Sequence, residues 1–159
     1  MPLILSLLLA AQITPTQPMP KGTALPLADA DTAAVMAPIN RLFAAMTARD
    51  PQALLAQLKP EGGATSANEG PDGARVVSHL SWAEFATHLK PGAERYEERL
   101  TDPAVEVDGD IAMVWSPYTF LIDGKVHHCG VDHFDLVREN GAWKILNITW
   151  SQRTTGCGA

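Results

Sequence analysis

The sequence predicts an α+β domain, in which a long, curved antiparallel sheet packs against three N-terminal helices. Three observations predict it. Apolar residues in the N-terminal half recur at helical spacing, and from about Glu94 onward the period changes to two. Three dipeptides of hairpin type, Asp108-Gly109, Asp123-Gly124 and Asn140-Gly141, divide the C-terminal half into strands. Those strands are largely apolar on both faces, so each side of the sheet needs a cover.

The chain has 159 residues, which fits one domain with a core of its own. Apolar residues make up 46% and charged residues 19%, a globular balance rather than a disordered one. Lys and Arg number 12 against 18 Asp and Glu, for a net charge of −6. No basic run occurs, which argues against a nucleic-acid footprint and against an anionic membrane surface. No apolar stretch is long enough to span a bilayer. No glycine loop has phosphate-cradling spacing and no Gly-x-Ser-x-Gly occurs, so neither a nucleotide cofactor nor a serine-hydrolase elbow is indicated.

Residues 1–11, with the run LILSLLLAA, read as a signal peptide that would send the chain to the periplasm or outside the cell; the alternative is a hydrophobic N-terminal helix. Residues 12–28 carry Pro15, Pro18, Pro20 and Pro26 and read as an extended tether. The folded domain is placed at 29–153 and a tail bearing Cys157 at 154–159. Cys129 and Cys157 fit export, since an oxidising compartment permits a disulfide between them; two free thiols or a cross-chain bond are the alternatives.

Val35, Ile39, Leu42, Phe43 and Met46 form one apolar stripe on a first helix, capped by Asp31 or Thr32, with Pro38 in the first turn or at a kink. Asp50-Pro51 reads as N-cap and first residue of a second, short helix carrying Leu54, Leu55 and Leu58, which Pro60 ends. Gly70-Pro71-Asp72-Gly73 marks a small hairpin within residues 62–78. Ser81-Trp82-Ala83-Glu84 is a capping box that opens a third helix with Trp82, Phe85 and Leu89 on its buried side. Strands follow at about 95–107, 110–122, 125–139 and 142–153.

Two-residue loops fix a straight register that sets Pro117 opposite Gly130, a natural site for a bulge, and Thr149 opposite Asp132. One face then carries Trp115, His128, Asp132, Phe134, Trp143, Asn147 and Thr149; the other carries Tyr118, Phe120, Ile148 and Trp150. The helices cover one face. A second copy of the chain covers the other.

Helices, hairpin and meander together resemble the nuclear transport factor 2-like superfamily, and the local text resembles its exported, SnoaL-like bacterial members. The resemblance rests on Ile39-Asn40-Arg41-Leu42-Phe43-Ala44-Ala45-Met46 with Arg49-Asp50, on His128-Cys129-Gly130-Val131-Asp132-His133-Phe134, and on Gly141-Ala142-Trp143-Lys144-Ile145. It implies a pocket between the concave sheet and the helices, and a homodimer through the convex face. Family members include isomerases, dehydratases, cyclases and proteins that only bind. Ketosteroid-isomerase chemistry would need a tyrosine on the first helix, and none lies between Asp29 and Leu58.

Asp132 is the principal candidate. Among apolar neighbours its carboxylate would be a base near neutral pH, or it would be held by Asn147, Thr149 or a backbone N–H as a sheet-locking group. His128 shares its face as a possible second catalytic group, but four strand residues put them roughly 13 Å apart along the strand, too far for a direct pair. Trp115, Phe134, Trp143, Asn147 and Thr149 are the expected ligand-binding wall. The run His127, His128, Cys129, Asp132, His133 suggests a metal, yet alternation splits it between faces. The sequence therefore points to a small apolar ligand, with an Asp132-dependent isomerase, dehydratase or cyclase and a structural dimer as alternatives.

Overall fold

The computed structural model describes residues 29–158. The expected leader at 1–11 and tether at 12–28 lie outside the described residues. Within them the elements run α1 (Asp29–Ala48), α2 (Pro51–Leu55), β1 (Leu58–Glu69), β2 (Arg75–Ser81), α3 (Trp82–Ala86), β3 (Tyr96–Leu100), β4 (Ala104–Asp108), β5 (Ile111–Ile122), β6 (Lys125–Glu139) and β7 (Ala142–Arg153). The α+β architecture is the expected one, but the strand expected at about 95–107 is broken at residues 101–103, where Asp102 has positive φ, into β3 and β4, and the sheet is mixed. Its order is β2-β1-β7-β6-β5-β3, with β4 also on β5, and β1 runs parallel to β7.

The stripe on α1 is buried: Val35, Ile39 and Leu42 are at most 1% exposed. Asp31 and Thr32 are not its caps, because the helix already runs through them, and it continues through a buried Pro38. Asp50 caps α2 as expected, its carboxylate accepting from Gln52 N–H and Ala53 N–H at 3.0 and 2.9 Å. The helix stops at Leu55; Leu58 opens β1 instead, and Pro60 lies within that strand. Proline is tolerated there because residues 58–62 have no ladder to β2 and the register to β7 shifts between Leu58 and Gly63. The capping box on α3 is present, with Ser81 and Glu84 bonding reciprocally. This helix is one turn shorter than its apolar spacing suggests.

Two hairpin turns are of the expected kind, with Asp123-Gly124 and Asn140-Gly141 both at positive φ. The third differs. Asp108 pairs with Ile111, so the loop is Gly109-Asp110, with only Gly109 at positive φ, as a type II′ turn requires.

Each long hairpin contains one extra residue that the loop lengths do not reveal. Between β5 and β6, Leu121 pairs with Val126 but Phe120 pairs with His128, so His127 is bulged. Between β6 and β7, Leu136 pairs with Ile145 but Asp135 pairs with Asn147, so Leu146 is bulged. A one-residue shift exchanges the faces of everything beyond it. Asp132 therefore pairs with Ser116 and Trp150, not with Trp115 and Thr149, and Pro117 pairs with Val131, not with Gly130.

The core lies between α1, α2, α3 and the concave face, with Phe134, Leu136, Ile145 and Val114 at most 1% exposed. Cys129 and Cys157 form a disulfide that ties the C-terminal tail to β6. Among the described residues, no helix is long and apolar enough to cross a membrane.

Candidate functional site

The concave face and the helices enclose a cavity of about 440 Å³. Leu42, Phe43 and Met46 of α1 form its roof, joined by Phe85 of α3 and by Leu89 beyond it. β5 contributes Tyr118, Phe120 and Ile122; β6 contributes His128, Asp132 and Phe134; β7 contributes Ile148, Trp150 and Gln152; β3 contributes Tyr96 and Glu98. Exposed His88 and His127 mark the mouth.

Asp132 sits at the floor and is 2% exposed. Its facing rung does not help it. The Ser116 hydroxyl accepts from Thr101 N–H at 3.1 Å and is within 3.0 Å of Thr101 O, where it donates. The nearby Tyr118 hydroxyl donates to Ser151 O at 3.1 Å. Asp132 Oδ2 is buried with no partner among these groups. What remains within hydrogen-bonding reach is a second carboxyl, Glu98 of β3. Glu98 is half-buried and lines the cavity.

Burial pushes the Glu98 carboxyl up to about 7, with its hydrogen bond to Asp132 acting in the opposite sense. Burial, then the Glu98 charge, raises the Asp132 carboxyl well above the ordinary range. Two carboxyls within hydrogen-bonding reach of each other in an apolar site resist ionising together near neutral pH, so the pair retains a proton. Burial also raises the Tyr118 phenol, helped by the charges of Asp132 and Glu98, so it stays a hydroxyl donor. His128 stacks on Phe120 with centroids 4.7 Å apart, and its Nδ1 lies 2.8 Å from His127 Nδ1. Burial, then His127, lowers His128 to about 4, which leaves a neutral imidazole.

Asp132, His128 and Phe134 of the expected site therefore line the cavity. The other four expected residues do not. Trp115 is 51% exposed on the convex face, its ring 5.9 Å from that of His133. Asn147 lies beyond the Leu146 bulge and its side-chain oxygen accepts from Gly63 N–H at 3.2 Å. Thr149 is exposed between Thr65 and His133. Trp143 shares the concave face but is packed in the core, with the Arg138 guanidinium 5.0 Å from its ring. Conversely, Tyr118, Phe120 and Trp150, assigned by the straight register to the dimer face, are cavity wall. Glu98 was missed entirely. Its only signal was a carboxylate in a short, strongly charged stretch, Tyr96-Glu97-Glu98-Arg99, that alternation alone leaves ambiguous.

The fold recurs in solved structures of low sequence identity. One described as a "putative dehydratase" of the nuclear transport factor 2-like family, from Streptomyces avermitilis, is 21% identical with a TM-score of 0.61, over 79% of this chain and 97% of that one. A "putative scytalone dehydratase" from Novosphingobium aromaticivorans is 11% identical with a TM-score of 0.61, over 78% and 85%. The β subunit of a "putative aromatic-ring-hydroxylating dioxygenase" from the same organism is 10% identical with a TM-score of 0.64, over 81% and 93%. Such distant likenesses show the fold alone. No curated protein sequence matches the chain. A family model, however, matches residues 30–151, which is most of the chain and all of the cavity apart from Gln152. The chain belongs to the family described as "Putative lumazine-binding", which shares the nuclear transport factor 2-like fold.

Proposed function

We propose that the chain binds a small, largely apolar molecule in the cavity of the cone. The observation that carries this reading is the cavity itself: about 440 Å³, walled by aromatic and aliphatic side chains, with one polar feature at its floor. Ligand sites have this make-up, an apolar enclosure with a few convergent polar groups, and fall in the range of roughly 300–1,000 Å³. The family's description adds support for small-molecule binding.

A second reading is favoured by the shared proton. A carboxyl pair with one proton is an acid and a base side by side, as proton transfer next to a carbonyl requires. Asp132 would be the general base, and neutral His128 a hydrogen-bonding partner nearer the mouth, in an isomerisation, dehydration or cyclisation. The third reading, a non-catalytic structural dimer, is disfavoured by an open cavity. Export of the mature chain to an oxidising compartment fits the disulfide.

Two measurements test the first two readings. The neutral fluorophore N-phenyl-1-naphthylamine is expected to brighten on binding the wild type. Gln152→Trp, which inserts a ring at the cavity wall, should weaken binding at least tenfold without lowering the melting temperature. Equal binding to both proteins would move the site elsewhere. In D2O, a bound aryl ketone such as α-tetralone would exchange its α-hydrogens if Asp132 is a base, and Asp132→Asn would stop it. Exchange no faster than the buffer blank would leave binding alone.

A further inference from the structure

The Asp132–Glu98 pair is a polar feature of one sign. Residues lining the cavity include two carboxyl groups, three imidazoles and no lysine or arginine. Arg49 is engaged elsewhere: it lies over the Tyr96 ring at 3.8 Å, and its donors go to Lys90 O at 2.7 Å and to Glu94 O at 2.9 and 3.1 Å. Arg153, beyond Gln152 on β7, is exposed and does not line the cavity, although its charge is felt at the Tyr118 phenol. No basic side chain among the lining residues offsets the carboxyl pair.

Three further observations point the same way. Asp132 is 2% exposed, and its Oδ2 atom has no hydrogen-bond partner. The hydroxyls best placed to satisfy it, those of Ser116 and Tyr118, are turned to backbone carbonyls. The walls above it are rich in aromatic side chains: Phe43, Phe85, Tyr96, Phe120 and Trp150. Aromatic faces attract cations through their quadrupole, and a cage of them beside carboxylates is the arrangement that holds ammonium groups. An anionic ligand would meet uncompensated like charge. A neutral ligand would leave the carboxyl pair as it is.

We propose that the cavity takes an apolar organic cation, a hydrophobic amine or quaternary ammonium compound, with its charge against the Asp132–Glu98 carboxyls and its apolar body among the aromatic rings. The inference rests on the cavity being the binding site and names the class of ligand it takes. When the cation enters, the proton that the two carboxyls share is displaced to solvent, so binding and proton release are coupled. The groups facing the pair do not duplicate this response: Tyr118 remains a phenol, and His128 is already neutral near pH 7.

The test compares shape-matched probes on the full domain by calorimetry at pH 7: benzyltrimethylammonium, its uncharged isostere neopentylbenzene, and lumazine. The cation is expected to bind at least tenfold tighter than the isostere, releasing up to one proton, as read from two buffers of different ionisation heat. Glu98→Gln should lower the ratio of cation affinity to neopentylbenzene affinity. Asp132→Asn should do the same, and the Glu98 variant keeps the test valid if that protein folds poorly. Equal or tighter binding of neopentylbenzene or lumazine overturns the cation proposal and leaves the cavity as a site for neutral ligands. Failure of all three probes at millimolar concentration overturns both.

Discussion

Two carboxyl groups in apolar surroundings make the stability of this protein depend on pH in an unusual direction. Glu98 titrates near its ordinary value of 4.5 in the unfolded chain and at about 7 in the folded one. Between those values the folded state holds more protons than the unfolded state, so the pair's contribution to stability is complete below about 4.5 and is lost as pH rises through 7. A glutamine in place of Glu98 keeps a hydrogen-bond donor for Asp132 and removes the second ionisation. Glu98→Gln should therefore melt close to the wild type at pH 5 and several degrees above it at pH 8, measured by calorimetric scans in the two buffers. A constant difference at both pH values would show that the pair does not share a proton. Tyr118 and Gly130 frame the same floor from below. Gly130 pairs with Tyr118, and a Cβ there would come within 1.8 Å of Ser151 O, the carbonyl that accepts the Tyr118 hydroxyl. A glycine on β6 is what lets the phenol cross to β7.

At the scale of the strand, the site is decided by two bulges and one covalent tie. The disulfide closes a segment of 28 residues that contains most of β6 and all of β7. In the chain-entropy model that constraint is worth roughly 3–4 kcal/mol. Replacing both cysteines by alanine should then lower the melting temperature by about 10 °C, and reductant should do the same to the wild type but not to the variant. No shift would mean that the bridge does not form in solution. The boundaries of β5, β6 and β7 were legible because Asp-Gly and Asn-Gly dipeptides have a local cause, the need for positive φ, whereas the break between β3 and β4 carries no such dipeptide. The faces were legible only up to the first bulge. His127 and Leu146 are ordinary strand residues, and nothing in their chemistry announces that they stand unpaired. Trp115 and Thr149 were therefore assigned to the cavity, and Tyr118, Phe120 and Trp150 to the outside. His128, Asp132 and Phe134 fall together on the cavity face because they share one strand and one parity, whichever neighbour they face. Glu98 was hidden for a different reason: a buried carboxylate has no local signal when its partner is remote in sequence. The parallel pairing of β1 with β7 is also long-range, and local periodicity does not encode it.

On the whole molecule, the two sides of the sheet end up with separate tasks. The concave side is covered by helices and holds the cavity. The convex side carries Ile111, Met113 and Trp115, which are 60%, 37% and 51% exposed along one strand of β5. Next to Trp115 lies His133, whose Nε2 is 3.5 Å from an oxygen of Asp135. An apolar stripe of this kind on the convex face next to the sheet's edge, bordered by polar groups, fits a symmetric interface in which the same strand of a second copy packs against it. The homodimer proposed through this face makes a specific expectation. The wild-type chain should sediment at about twice 17.1 kDa at micromolar concentration. Trp115→Arg removes apolar area at the centre of the interface and sets two cations near the two-fold axis, so it should sediment as a monomer. Because Trp115 is half exposed in the single chain, the variant should keep its fold and its circular dichroism. It should also keep its affinity for cavity ligands, since Trp115 and the cavity lie on opposite faces of the sheet. A monomeric wild type would leave the stripe unpartnered and remove the dimer. A Trp115→Arg monomer that also lost ligand binding would show that the second subunit shapes the cavity through the sheet, and the two faces would then have to be treated as one coupled unit.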